Sequence, residues 1–208
     1  MIEGEGGESF MEWARANSNK ISIVGLVVVA AAAVGLLWRA SADKKEVRAS
    51  QALAAAQNVV ASGNAALAQS DLQAMLRRYG GTKAAVQARM LLAQVHFGAN
   101  KVDEGLKELD AIRSPGPYTA SIHALKGAGL EQSGKLAEAA AEYERASTTS
   151  STKLAKAAYQ SDAARAYLAA GNTDAAKKIW EAMAADDSNP LSGEAKVRLG
   201  ELTVKPIG

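Results

Sequence analysis

The sequence predicts an all-α protein in which one transmembrane helix precedes a solenoid of about four helix pairs and a capping helix. Three observations lead to this fold class. Residues 21–38 contain no charged side chain. The remainder is rich in alanine and, like the whole chain, poor in proline, with only 4 in total, which is typical of a helical protein. A turn centred on glycine or asparagine recurs along this remainder at intervals of 34 to 37 residues, which indicates helical repeats.

Residues 1–19 are predicted to form an acidic N-terminal tail with a short amphipathic turn. Ser9 and Glu12 have the spacing of a capping box, in which each side chain accepts a hydrogen bond from the other residue's backbone N–H. Phe10 and Trp13 then share one face of the turn, and we expect them to rest on the membrane surface. The alternative is a loosely ordered tail that only carries two aromatic residues.

Residues 20–39 are predicted to form the transmembrane helix. A bilayer core of about 30 Å requires about 20 apolar residues in a helix, and this run is just long enough. Lys20, Trp38 and Arg39 fall at the two membrane interfaces, where tryptophan and long basic side chains are favoured. One alternative is a buried core helix. Another is a signal peptide, because Ala40-Ser41-Ala42 resembles a cleavage site, although the preceding segment is long and acidic.

Small residues in this helix are predicted to pack against another transmembrane helix. Lipid tails are as apolar as leucine, so helix association in a membrane depends on the close approach that small residues permit. The residues expected at this contact are Gly25, Ala31, Ala32 and Gly35. The alternative is that they reflect only the composition of the span.

The charges that flank the span do not decide its orientation. Arg15 and Lys20 precede it, whereas a larger basic group follows it: Arg39, Lys44, Lys45 and Arg48. A count of positive charges alone would place the following domain in the cytoplasm, but this rule weakens when a long domain follows.

Residues 40–208 are predicted to form the helical-repeat domain. Neither proline nor glycine occurs between Arg39 and Ser62, which favours an unbroken helix from the span into the domain. The alternative is a break near Ser41. Four turns then divide the domain, and glycine or asparagine suits the left-handed conformation that ends one helix before the next. The turns are centred on Gly63, Asn100, Gly134 and Gly171.

Residues at fixed distances from each turn share the same character. Small residues lie on both sides of a turn, where they let two helices approach, and bulky residues lie where they fill the resulting seam. The small residues are Ala56, Ala93, Gly127 and Ala164 before the turns and Ala68, Gly105, Ala139 and Ala176 after them; the bulky residues include Leu72, Leu109, Tyr143 and Trp180.

These units resemble the tetratricopeptide repeat, a helix–turn–helix unit of about 34 residues. The strongest matches begin at Ala93, Gly127 and Ala164. The first unit is degenerate, the usual early tryptophan is missing throughout, and Lys126 occupies a position that is normally apolar. A last helix over residues 192–203 is predicted to cap the open end of the stack.

The whole layout is similar to a narrower family, the single-span ancillary subunits of the bacterial Sec translocon. The resemblance is carried by the acidic tail, by Phe10-Met11-Glu12-Trp13 before the span, by Trp38-Arg39 after it, and by a repeat domain of this length. It implies a single-pass protein of the bacterial inner membrane, with a cytoplasmic N-terminus and a periplasmic C-terminal domain. It also implies contacts with the lipid bilayer, with an integral membrane protein complex, and with chaperones or client peptides.

No pattern in the sequence indicates catalysis. His96 lies at a seam position where an aromatic residue is usual, so we expect a structural role, and we expect no ligand role for His123. Metal-ligand spacings and nucleophile–base patterns are absent, and the lack of cysteine excludes thiolate chemistry. A net charge of +2 without a basic–aromatic block argues against a nucleic-acid partner. We therefore expect neither an enzyme nor a cofactor.

Two functions remain. The first is a non-enzymatic, membrane-anchored interaction scaffold, whose concave repeat face is predicted to bind a partner. The alternative is a structural subunit that stabilises a large inner-membrane assembly such as a photosynthetic or respiratory complex. A purified complex of fixed stoichiometry would indicate the subunit, and exchangeable association would indicate the scaffold. The residues predicted on the concave face are Gln57, Met90, Gln94, Phe97, Ser161, Arg165 and Leu168.

Overall fold

The computed structural model of the protein describes residues 16–203, apart from the side chains of residues 18–25 and 203. The predicted tail turn with Phe10 and Trp13 therefore lies outside the described residues. The predictions for the side chain of Lys20 and for packing at Gly25 also fall outside this description.

The described residues include nine α-helices and one short 3₁₀ helix, and no β-strand occurs among them, which confirms the predicted all-α class. The last helix has the predicted bounds. In chain order the elements are α1 Ser18–Ala61, α2 Ala65–Tyr79, α3 Lys83–Gly98, α4 Val102–Asp110, the 3₁₀ helix Gly116–Tyr118, α5 Thr119–Gln132, α6 Leu136–Thr149, α7 Lys153–Ala169, α8 Thr173–Ala185 and α9 Ser192–Thr203.

The chain divides into two compact units, Met1–Arg48 and Ala49–Gly208. Helix α1 has residues in both, and it continues through Ser41 without a break, as the absence of proline and glycine predicts. In the first unit, α1 is long and apolar enough to cross a membrane by length and composition. Leu26, Leu36 and Trp38 are 73%, 70% and 79% exposed. A core helix of a soluble domain would bury such side chains, so the buried-helix alternative does not describe this segment.

All four predicted turn residues have left-handed backbone conformations. The φ angles are 79° at Gly63, 58° at Asn100, 77° at Gly134 and 80° at Gly171. Asparagine tolerates this region better than most residues with a side chain, which explains why it replaces glycine in one turn. Each turn therefore ends one helix, and three residues separate it from the next. This confirms the repeat boundaries in the second unit.

The core of the second unit is a series of seams between helices. All eight of the small residues predicted beside the turns are buried, including Ala93, Gly105 and Ala139. The bulky residues meet them from the paired or following helix: Leu72, Leu109, Tyr143 and Trp180 are at most 5% exposed. Apolar burial is the main favourable term in folding, so this phase of small and bulky residues determines which helix faces pair.

Threonine side chains begin the first helices of two pairs. Thr82 Oγ1 accepts a hydrogen bond from the backbone N–H of Ala85 at 3.1 Å, and Thr152 Oγ1 accepts one from Ala155 at 3.2 Å. Each bond satisfies an N–H group that has no partner within the helix.

Helix α9 closes the C-terminal end of the stack. It buries Ala195 and exposes mainly polar residues, as a capping helix must.

Candidate protein-interaction surfaces of the repeat domain

The seven residues predicted on the concave face come from three helices that each open a pair. Gln57 lies in α1, three residues lie in α3 and three in α7. Among them, the side chains of Gln57, Gln94 and Arg165 are exposed, and Leu168 is 37% exposed. Met90, Phe97 and Ser161 are half-buried. Whether these side chains bind a partner stays a prediction.

Phe97 has a packing role that the sequence did not reveal. A Cβ atom added to Gly105 would lie 2.3 Å from Phe97 Cε1, and one added to Gly129 would lie 2.6 Å from Phe97 Cζ. The ring therefore occupies space that exists only because both positions are glycine. Met90 packs against the same hydrophobic cluster. These two side chains present only part of their surface to a partner.

The three predicted residues of α7 lie together in a groove between α7 and α9. Ser161, Arg165 and Leu168 line this groove, whose volume is about 330 Å³, and Trp180 lies at its apolar side. Ser161 Oγ donates a hydrogen bond to Glu194 Oε1 of α9 at 3.1 Å. The structure thus places one part of the predicted face in a concave site of the size that binds peptides or small molecules.

The charge of Arg165 is compensated by a carboxylate of the preceding pair. Its guanidinium donates two hydrogen bonds to Glu131, one of them Nη2 to Oε2 at 3.2 Å, and the hydroxyl of Tyr143 donates to the same Oε2 at 3.0 Å. The hydrogen bond from Arg165 lowers the pKa of Glu131. Burial and the hydrogen bond to Glu131 raise the pKa of Tyr143. Arg165 is 51% exposed, so the pair orients these side chains more than it stabilises the fold.

Similar polar contacts join the first helix of a pair to the next pair or to the 3₁₀ helix that precedes it. Gln132 Nε2 donates to the carbonyl oxygen of Phe97 at 2.9 Å, and Gln87 donates to the hydroxyl of Tyr118. With the contacts of Arg165 and Ser161, these bonds link residues 31 to 35 positions apart, close to one repeat. Sequence reasoning missed all four, although their separation matches the repeat period.

Two cross-helix polar contacts, one of them an ion pair, occupy equivalent positions in neighbouring units. Arg89 Nη1 lies 2.7 Å from Glu108 Oε2, and His123 Nδ1 lies 2.6 Å from Glu142 Oε2; the partners are 19 positions apart in both cases. Each pair joins the two helices of one unit. His123 therefore makes a structural contact within one repeat unit. His96 is buried between helices, with 6% exposure. No group of three metal-ligating side chains occurs within the part of the chain described here.

Comparison with known proteins defines the family. A family model described as a tetratricopeptide repeat-like domain matches residues 11–102, and matches again at residues 51–162. The chain belongs to the tetratricopeptide repeat-like domain family. A second model, for the tetratricopeptide repeat, matches residues 161–202. Proteins with this repeat generally act as non-catalytic scaffolds for protein–protein interaction.

A solved structure of similar fold supports this assignment. It is the crystal structure of nearly identical TPR-like repeats from a Podosopora anserina protein described as a kinesin light chain. The tetratricopeptide repeat-like chain shares 18% identity with it over 74% of its own length and 84% of that chain, with a TM-score of 0.58. This likeness concerns the fold alone. None of the curated proteins matches the chain.

Proposed function

We propose that this tetratricopeptide repeat-like chain is a membrane-anchored, non-enzymatic scaffold of the Sec-ancillary type. In this proposal the apolar part of helix α1 crosses the bacterial inner membrane once, with the N-terminus in the cytoplasm and the repeat domain in the periplasm. The repeat domain holds an integral membrane protein complex, and chaperones or client peptides bind its concave face.

The exposed apolar segment of α1 is the observation that carries the proposal. Seven large apolar side chains between Leu26 and Leu37 are each at least 59% exposed: Leu26, Val27, Val28, Val29, Val34, Leu36 and Leu37. On insertion scales each Leu or Val contributes about 0.3–0.6 kcal/mol to membrane entry, so these seven supply about 2–4 kcal/mol. Exposed to water instead, the same surface would promote aggregation.

The extent of the family match also supports an anchor. The match begins at residue 11, so the apolar segment lies inside the matched region and not beside it. Trp38 and Arg39 follow the segment, where the headgroup region favours aromatic and basic side chains.

Small residues on α1 are candidates for packing against another membrane helix. A Cβ atom added to Gly35 would have no neighbour within 4 Å, and Ala31 and Ala32 are exposed. These positions are therefore open to a helix of another protein.

Fractionation of the full chain tests the anchor. We expect the wild-type protein to stay in the membrane pellet after carbonate extraction. The double substitution V28R/V29R should move it to the supernatant, because each arginine near the centre of a span costs about 2.5–3.5 kcal/mol. The control V197R alters an equally exposed valine of α9 and should leave the protein in the pellet. Release of the wild-type chain by carbonate would refute the anchor.

Proteolysis tests the orientation. Protease added to intact spheroplasts should digest the repeat domain and spare an epitope tag at the N-terminus. Protection of the repeat domain would place it in the cytoplasm, as the count of flanking charges suggests.

The composition of the complex purified from membranes tests the scaffold role. Partners should be recovered at substoichiometric levels that fall on dilution. A fixed stoichiometry that resists dilution would instead identify a structural subunit of a large inner-membrane assembly.

A further inference from the structure

We propose that a second surface of the repeat domain binds an extended acidic segment of a partner protein. This surface, the basic cleft, lies between the start of α3 and the loop before α5. It is lined by residues 80–83, 85, 86, 89 and 111–118, and its volume is about 650 Å³. None of the seven predicted concave-face residues lines it. The inference deepens the proposed scaffold role, on which it rests, by stating the chemistry of a partner.

All the charged side chains that line the basic cleft are positive. Lys83, Arg89 and Arg113 line it, and no aspartate or glutamate does. Arg89 is paired with Glu108, so its charge is partly compensated. Arg113 is exposed and has no ion-pair partner among the described residues. In the sequence, residues 72–102 contain no acidic residue and five basic ones: Arg77, Arg78, Lys83, Arg89 and Lys101; the acidic residues follow in α4, which supplies Glu108. A surface of this sign favours an anionic partner.

Apolar side chains form the inner part of the basic cleft. Val86, Ile112 and Tyr118 are half-buried and line it beside two prolines. The hydroxyl of Tyr118 accepts a hydrogen bond from Gln87, which restrains its ring. Binding sites with an apolar wall and a few charged groups hold a ligand by burial and orient it by charge. An acidic segment that also carries an apolar side chain can pair its carboxylates with the basic residues and pack its apolar side chain against the apolar wall.

Hydrogen bonds hold the two walls of the basic cleft in place. On one wall, Thr82 Oγ1 donates to the carbonyl oxygen of Tyr79 at 2.8 Å and accepts from the N–H of Ala85. On the other, Thr119 Oγ1 donates to the carbonyl oxygen of Gly116 at 2.9 Å, and Gly116 adopts a left-handed φ of 54°. A cleft that is ordered before binding loses less conformational entropy when a ligand enters.

The shape of the site favours a peptide over a membrane surface. An extended segment can enter the cleft and reach its apolar wall. The flat surface of an anionic bilayer would contact only the exposed rim, which includes Arg113, and would leave the apolar wall unused.

Peptide binding to the full chain tests the proposal. The protein is placed in nanodiscs of phosphatidylcholine, which carries no net charge, and binding is followed by fluorescence anisotropy. The probe is a short labelled peptide of sequence Glu-Glu-Leu-Glu-Glu, and the matched peptide is Gln-Gln-Leu-Gln-Gln. We expect only the acidic peptide to bind, with an affinity that falls with salt.

Charge reversal locates the site. The substitution R113E, alone and combined with K83E, should weaken binding of the acidic peptide about tenfold or more, because it converts attraction into repulsion. The control K178E reverses an exposed charge of α8 and should leave the affinity unchanged. Circular dichroism checks that each variant is folded.

Three outcomes would overturn the inference. They are no binding of the acidic peptide, equal binding of the glutamine peptide, and a loss of peptide affinity in K178E as large as that in R113E. If phosphatidylglycerol vesicles bind the wild-type protein but not R113E, and the peptide does not bind, the basic residues recognise a membrane instead. R113E should remain in the carbonate-resistant pellet, so failure of the peptide experiment is distinguishable from failure of the anchor.

Discussion

Replacement of Gly105 by alanine should destabilise the repeat domain although alanine is the better helix former. Gly105 lies within α4, where the substitution gains about 1 kcal/mol from helix propensity. The new Cβ atom would lie 2.3 Å from Phe97 Cε1 and 3.0 Å from the carbonyl oxygen of Ala93. The carbonyl belongs to the backbone of α3, and the same edge of the ring is also confined by Gly129, so neither neighbour yields easily.

The expected magnitude follows from these opposing terms. Overpacking of a filled core costs about 1–3 kcal/mol, which offsets the gain in propensity and leaves a net loss of up to about 2 kcal/mol. The matched control is G200A in α9, where a Cβ atom meets nothing within 4 Å. This control should be stabilised by up to about 1 kcal/mol. The two variants should therefore differ by about 1–3 kcal/mol.

Thermal unfolding followed by far-UV circular dichroism measures this difference. For a domain of about 150–250 residues, each kcal/mol shifts Tm by about 2–4 °C, so G105A should melt below G200A by several degrees. In an F97A background, the alanine at position 105 should lose most of its penalty, because the ring is gone and only the approach to the carbonyl oxygen of Ala93 remains. A G105A variant that melts as high as G200A would refute the assignment of Phe97 to this seam.

Three further predictions follow from particular contacts. The substitution A139L should cost about 1–3 kcal/mol because Ala139 is fully buried, whereas A137L on the exposed face should be nearly neutral; urea denaturation compares them. Because its partners lower the pKa of Glu131, the native carboxylate stabilises the fold above the unfolded-state pKa, and this contribution is lost as pH falls. E131Q should therefore lose less stability than wild type as the pH falls below the ordinary carboxyl pKa of 4.5 and through the lower folded-state pKa, and an equal loss over this acidic range would contradict the prediction. Finally, G35L should reduce co-purification of the membrane partner without changing membrane insertion; unchanged recovery would show that the span is only a tether.

The bounds of the repeat units could be predicted from sequence because they depend on the local backbone conformation of the turn residues. A left-handed residue can end a helix wherever it occurs, and glycine or asparagine marks such a place in the chain itself. Positions counted from these turns then identified the buried residues, among them Ala93, Ala139 and Trp180. The same reasoning placed Phe97 on the concave face but did not reveal its packing role, because the free space beside its ring is created by glycines on two other helices.

The sequence by itself determined the helix pairs, their turns, the buried small residues and the one apolar segment that suits a membrane. Each of these follows from residues that are close in the chain. Only the tertiary structure decided which polar side chains meet. Arg165 reaches Glu131, 34 positions away, and residues 80–83 approach residues 111–118 to form the basic cleft. Such contacts depend on how successive units stack, and stacking is set by the shape of whole seams, which no short stretch of sequence contains.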